Sequence, residues 1–76
     1  MDIDKLYYFF AAAESESFTK AADRCHIAQT TMSKYIAQLE KETSCSLFVR
    51  SRSRLSLTKE GRQFYDGMKK IHGDYE

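Results

Sequence analysis

Three arginines alternate with serines in Arg50-Ser51-Arg52-Ser53-Arg54, and no acid interrupts them. A guanidinium stays charged at any physiological pH and offers a fork of N–H donors, so this run suits phosphate. A second group, Gln29, Thr30, Ser33, Lys34 and Ala37, falls on one side of a helix at about 100° per residue, with Gln29 at its edge. All but Lys34 are uncharged and short enough for close approach to a base edge. Glutamine matches the N6/N7 pair of adenine, serine serves several bases, and a threonine methyl packs on a thymine methyl. Lys34, with the start of the helix, suits phosphate. A solvated polar face is the competing reading, and only the surrounding elements can decide between them.

Other chemistry has less support. Cys25, His26, Cys45 and His72 lack paired spacing such as C-x-x-C, so a zinc site is not expected. Cys25 belongs to an apolar helix face, where a small buried hydrophobe is its ordinary role. The chain holds no phosphate-cradling glycine loop, no nucleophile with a base in register and no acid pair in a plausible cleft. An enzyme is not expected, and no cofactor is expected in this domain.

Seventy-six residues make one domain, near the low end of what one hydrophobic core holds folded. The acidic start Met1-Asp2-Ile3-Asp4-Lys5 lacks the pattern of a secretory signal, and no apolar run approaches membrane-spanning length. Two cysteines are too few for a disulfide framework. These features point to the cytoplasm and to no membrane partner. Net charge is only +1, but its distribution is uneven. Met1–Thr19 carries one base and four acids, Lys20–Arg54 seven bases and three acids, and the remainder four of each. Any nucleic-acid face must lie in the basic middle.

The elements that must position these groups follow from periodicity. Ile3, Leu6, Phe9, Phe10 and Ala13 predict a helix from about Asp4 to Ser15. Ser17 or Thr19 caps a short second helix whose inner face is Phe18, Ala21, Ala22 and Cys25. The chain turns near His26, because Ile27 is out of phase. A third helix turns Met32, Ile36 and Leu39 inward, with Tyr35 at the margin, and ends around Thr43-Ser44. Leu47 and Phe48 anchor one strand, Leu55 and Leu57 a second, and alternation places Arg50, Arg52 and Arg54 on one side of the hairpin. Of these, Arg52 and Arg54 lie near the tip and Arg50 closer to the domain body. Thr58 caps a last helix.

Two short helices with a tight turn, then a basic hairpin, predict a mostly α, winged helix-turn-helix fold: a three-helix core, a two-stranded wing and a following linker helix. Ala22, with Ala21 beside it, is the small residue such a crossing needs. The expected division is a DNA-binding head over 1–58 and a linker or dimerisation helix over 59–76. A module that binds only protein is the alternative from another class. A DNA-binding winged helix of another regulator family is a further one.

The runs Ser17-Phe18-Thr19-Lys20-Ala21-Ala22, His26-Ile27-Ala28-Gln29, Met32-Ser33-Lys34-Tyr35-Ile36 and Leu39-Glu40 resemble the LysR-type transcriptional regulators. Leu47-Phe48, Arg50 and Leu57-Thr58-x-x-Gly61 extend the resemblance, which covers Asp2 to about Gly61 without a gap. It implies a dimeric regulator on palindromic promoter DNA. It places Gln29, Thr30 and Ser33 against bases, Lys34 on phosphate, and the hairpin arginines on backbone or minor groove. It also implies a larger C-terminal domain that binds a small-molecule inducer, so the chain reads as a fragment. Several positions depart from the family pattern. Ala28 replaces a serine cap, a loss of ~1 kcal/mol; Thr30 stands for proline; Arg52 and Ser53 stand for glycine and a basic residue. Ser44 replaces a frequent glycine, which argues against a left-handed helix end there.

Phe64, Met68, Ile71 and Tyr75 are spaced four, three and four apart, the seam of a helix pair. One helix cannot bury both sides of such a seam against so small a domain, so two copies are expected to pair through it, modestly, because Gly67 and Gly73 weaken the helix. The alternative is a helix folded back onto its own domain, with Leu57 and Phe64 touching the core. The resemblance implies an antiparallel pairing.

Overall fold

The computed structural model describes residues 3–51 and 54–72. Its elements run α1 (Ile3–Ser15), α2 (Phe18–Cys25), α3 (Gln29–Thr43), β1 (Phe48–Ser51), β2 (Arg54–Leu57) and α4 (Lys59–His72). The winged helix-turn-helix is therefore present. The first three helices bury most of the stripes their spacing predicted: Leu6, Phe9 and Phe10 from α1, Phe18, Ala21 and Ala22 from α2, and Met32, Ile36 and Leu39 from α3. Ile3 at the start of α1 is exposed, and Ala13 and Cys25 are partly buried. Phe9 is the hub. Its ring lies 5.5 Å from Phe48 and 5.0 Å, edge-on, from Phe64, so wing base and last helix close on one aromatic centre.

Helix ends are defined by local chemistry. Ser17 caps α2 through its hydroxyl oxygen, which accepts from the Lys20 N–H at 3.2 Å. At the other end His26 turns left-handed at φ 60°. The His26 N–H then reaches the Asp23 carbonyl and the Ile27 N–H the Ala22 carbonyl, which satisfies two carbonyls left open at the end of the helix. Helix α3 ends in the same way. Ser44 sits at φ 57°, its N–H bonds the Lys41 carbonyl, and the Cys45 N–H bonds the Glu40 carbonyl. The left-handed end is thus kept with serine in place of glycine, contrary to the sequence expectation. Two paired carbonyls and the burial of Leu47 beyond the turn offset the steric cost of the Ser44 Cβ.

The start of α4 explains the Leu57-Thr58-x-x-Gly61 run. Thr58 Oγ1 donates to the Ser46 carbonyl at 2.6 Å and accepts from the Gly61 N–H at 2.9 Å. The Thr58 N–H also bonds the Leu47 carbonyl. One residue therefore caps the helix and ties it to the segment that enters the wing. Gly61 is buried, and a Cβ there would overlap the Leu47 carbonyl oxygen. The approach of the two backbones requires glycine.

The hairpin register corrects one expectation. Phe48 pairs with Leu57, Val49 with Ser56, Arg50 with Leu55 and Ser51 with Arg54. Residues directly opposite share a face, so Arg50 lies with Phe48, Leu55 and Leu57 on the core side. Arg54 lies with Val49, Ser51 and Ser56 on the other. Arg50 and Arg54 are not on one side of the ribbon. Arg52 lies outside the described residues, as does Tyr75.

The pairing seam expected on α4 is also divided. Phe64 and Met68 pack against the chain's own core, whereas Ile71 is 72% exposed. The premise that one helix cannot bury this seam against so small a head does not hold for its first two residues, Phe64 meeting the Phe9 ring and Met68 packing on the core.

Candidate nucleic-acid interface

Two anchors set the wing against the helices. The Leu55 N–H donates to the carbonyl of Glu16, in the turn between α1 and α2, at 3.2 Å. From α3, the Glu40 carboxylate accepts from the N–H groups of Leu47 and Phe48 at 2.7 and 3.2 Å. A charged acceptor on two backbone donors is a strong arrangement, and it fixes the hairpin's entry to the same helix that carries Gln29. Sequence reading assigned Glu40 no role, since the two donors lie beyond the helix end.

These anchors open a groove of ≈ 390 Å³ lined by Ser17, Phe18, Thr19, Gln29, Arg50, Arg54 and Leu55. Gln29, Arg50 and Arg54, three of the residues singled out from sequence, converge there. The Arg50 guanidinium lies 4.4 Å from the centre of the Phe18 ring. Stacking holds the planar group on an aromatic face and leaves its N–H edges for an outside acceptor. Arg54 reaches the Glu16 carboxylate at 3.3 Å, with both side chains well exposed. Such a pair is worth about 0–1 kcal/mol, little enough for a phosphate to replace the carboxylate.

Thr30 and Lys34 are exposed on the outer side of α3, and Ser33 beside them is half-buried. Ala28 makes no side-chain bond to the helix start, so the first backbone N–H groups of α3 keep their capacity for an anion. Thr19 was missed by sequence reasoning as a groove residue. Its hydroxyl donates to the Gln29 side-chain oxygen at 3.1 Å. A clue was its place in the first turn of α2, two residues after the cap, within a run already singled out.

Behind the groove the charges are structural. The Glu14 carboxylate receives Arg24 at 3.0 Å, the Tyr65 hydroxyl at 2.8 Å and Lys69 at 3.2 Å, joining α1, α2 and α4. The Tyr65 hydroxyl and the Glu14 carboxylate hold the Lys69 ammonium above the usual lysine range. Burial pushes the Cys25 thiol up, against the opposing pull of Arg24, which disfavours the reactive thiolate. Among the described residues no cluster of three or more histidine, cysteine or acidic side chains could hold a metal. No helix among them is long and apolar enough to cross a membrane.

Comparison with known proteins adds the following. Residues 3–62 match the family model described as bacterial regulatory helix-turn-helix protein, lysR family. The HTH-type transcriptional regulator CitR of Bacillus subtilis is 41% identical over 76 residues, all of this chain and 26% of that protein. BenM of Acinetobacter baylyi is 43% identical over 65 residues, covering 86% of this chain and 21% of that protein. The chain thus spans about a quarter or less of the length of these relatives, which are named as transcriptional regulators and not as enzymes. The BenM DNA-binding domain in complex with benA site 1 DNA superposes with a TM-score of 0.90 at 39% identity, over 99% of this chain and 87% of that one. The CbnR DNA-binding domain–DNA complex gives 0.88 at 31% identity, over 93% and 82%.

Proposed function

The chain belongs to the lysR family of bacterial regulatory helix-turn-helix proteins, and we propose that it binds double-stranded DNA sequence-specifically to regulate transcription. In this reading α3 enters the major groove, with Gln29, Thr30 and Ser33 towards base edges and Lys34 on phosphate. Arg50, Arg52 and Arg54 take the backbone or minor groove beside it. The observation that carries the proposal is the convergence of Gln29, Arg50 and Arg54 on one groove at the start of α3. A base-reading amide flanked by two guanidiniums is what a groove edge and its phosphates require. The DNA complexes of the BenM and CbnR domains, which share this fold, support the reading.

The active form is a homodimer on a palindromic site in the cytoplasm. Ile3, Leu6, Tyr7, Phe10 and His72 line an apolar depression between the start of α1 and the end of α4, and Ile3 and Ile71 are exposed. This patch extends the pairing surface proposed for α4 beyond Phe64 and Met68. A small-molecule inducer acts through a separate C-terminal domain of the whole regulator.

Selection from a randomised duplex pool, followed by titration of a selected and a random duplex, tests the base-reading role. Gln29→Ala is expected to lose discrimination, worth ~1–3 kcal/mol for a good base contact. Lys34→Ala is expected to weaken both duplexes alike and to flatten the log–log salt slope by about 1. Equal losses on both duplexes for Gln29→Ala would contradict its assignment.

A further inference from the structure

We infer that Thr19 is a positioning residue for Gln29, fixing the order in which the glutamine amide presents its donor and acceptor to a base pair. The inference rests on the DNA-binding reading above. Its basis is the bond from the Thr19 hydroxyl to Gln29 Oε1, 3.1 Å long and bridging α2 to α3.

Gln29 opens α3, and Ala28 before it offers no side-chain bond. A long, exposed glutamine at such a place has three torsions to lose before it can read anything. Among the described residues the Thr19 hydroxyl is the side-chain group bonded to its amide. Thr19 is itself well placed to hold it. Ser17 caps its helix, the adjacent Phe18 is buried, and Arg50 stacks on the outer face of that ring. The amide is therefore held by a residue of a capped and packed helix that lines the same groove.

The hold has a consequence for recognition. An amide carries an acceptor at one end and a donor at the other. The N6–H donor and N7 acceptor of an adenine lie side by side at the major-groove edge, and their order along the groove reverses when the bases exchange strands. An amide free to flip suits both orders. One whose oxygen is kept on the α2 side favours a base pair over its reversal. The oxygen's second lone pair remains for the DNA.

The test uses the 76-residue chain and a randomised duplex pool, with the read position defined as the one whose preference Gln29→Ala erases. At that position Thr19→Val, which keeps the shape and removes the hydroxyl, is expected to reduce the preference for the selected pair over its reversal by about 3- to 10-fold. Thr19→Ser is expected to retain it. The salt slope on random duplex is expected to stay unchanged in both variants, because neither adds nor removes a charge. An undiminished preference in Thr19→Val, with Gln29→Ala still erasing it, would overturn the inference and leave the base-reading role intact. Equal weakening on all duplexes, with the salt slope unchanged because a hydroxyl carries no charge, would make Thr19 a phosphate contact instead. If Gln29→Ala erases no preference anywhere, the role of Gln29 fails and the inference with it.

Discussion

Arg50 and Arg54 show how residues of one type acquire different duties from their partners. Arg50 rests on Phe18 and so contributes to the packing of the wing base as well as to the charge of the groove. Among the described residues, the partner of Arg54 is an exposed carboxylate in the turn after α1. Alanine at Arg50 is therefore expected to lower stability by about 0.5–1 kcal/mol through the lost cation–π contact. Alanine at Arg54 should stay within about 0.5 kcal/mol of the parent. Each is expected to weaken binding to random duplex and to flatten its salt slope by about 1. Denaturant melts paired with DNA titrations would separate the two effects. Equal stability losses at both positions would contradict the stacked role of Arg50.

The helices were legible in the sequence because one period, repeated over several turns, fixes which side faces the core. Thr58, and Ser17 as one of two candidates, were legible as caps because capping is a local affair of three or four residues. What could not be read depends on partners far along the chain. The hairpin parity follows from which residue of β2 meets Arg50, and shifting that register by one residue moves an arginine to the other face. Glu40 finds its acceptor role only once the chain has doubled back to Leu47 and Phe48. Thr19 meets Gln29 only across the turn at His26. Ser44 is a different case, since two local helix-end bonds and the burial of Leu47 hold a left-handed conformation that serine alone disfavours. Ser44→Gly is accordingly expected to stabilise the chain by ~0.5–1 kcal/mol, relief of the Cβ strain being partly cancelled by the freer unfolded chain. The midpoint should rise by about 2–8 °C. A lowered midpoint would show that Ser44 has a contact beyond its backbone geometry.

Taken whole, the molecule separates its surfaces by task. The groove beside α3 collects Gln29, Arg50 and Arg54, the Glu14 hub locks α4 to α1 and α2, and the apolar depression lies between the start of α1 and the end of α4. Because Phe64 and Met68 are engaged by the core, Ile71 is, among the described residues, the position of the proposed seam at which self-association can be weakened without unfolding the head. Ile71→Lys is expected to leave the melt nearly unchanged, to reduce dimer formation in sedimentation and to abolish cooperative filling of paired half-sites. An unchanged dimer would remove Ile71 from the pairing surface.

The central claim, that the groove beside α3 is a DNA face, is tested most directly by titrating the chain against a random-sequence duplex over a series of salt concentrations. Lys34, Arg50, Arg52 and Arg54 are the assigned phosphate-facing cations. The account predicts binding at low salt with a log–log slope of roughly −3 to −4 per copy, flattened by about 1 in Arg50→Ala. No binding at low salt, or a slope near zero, would contradict it.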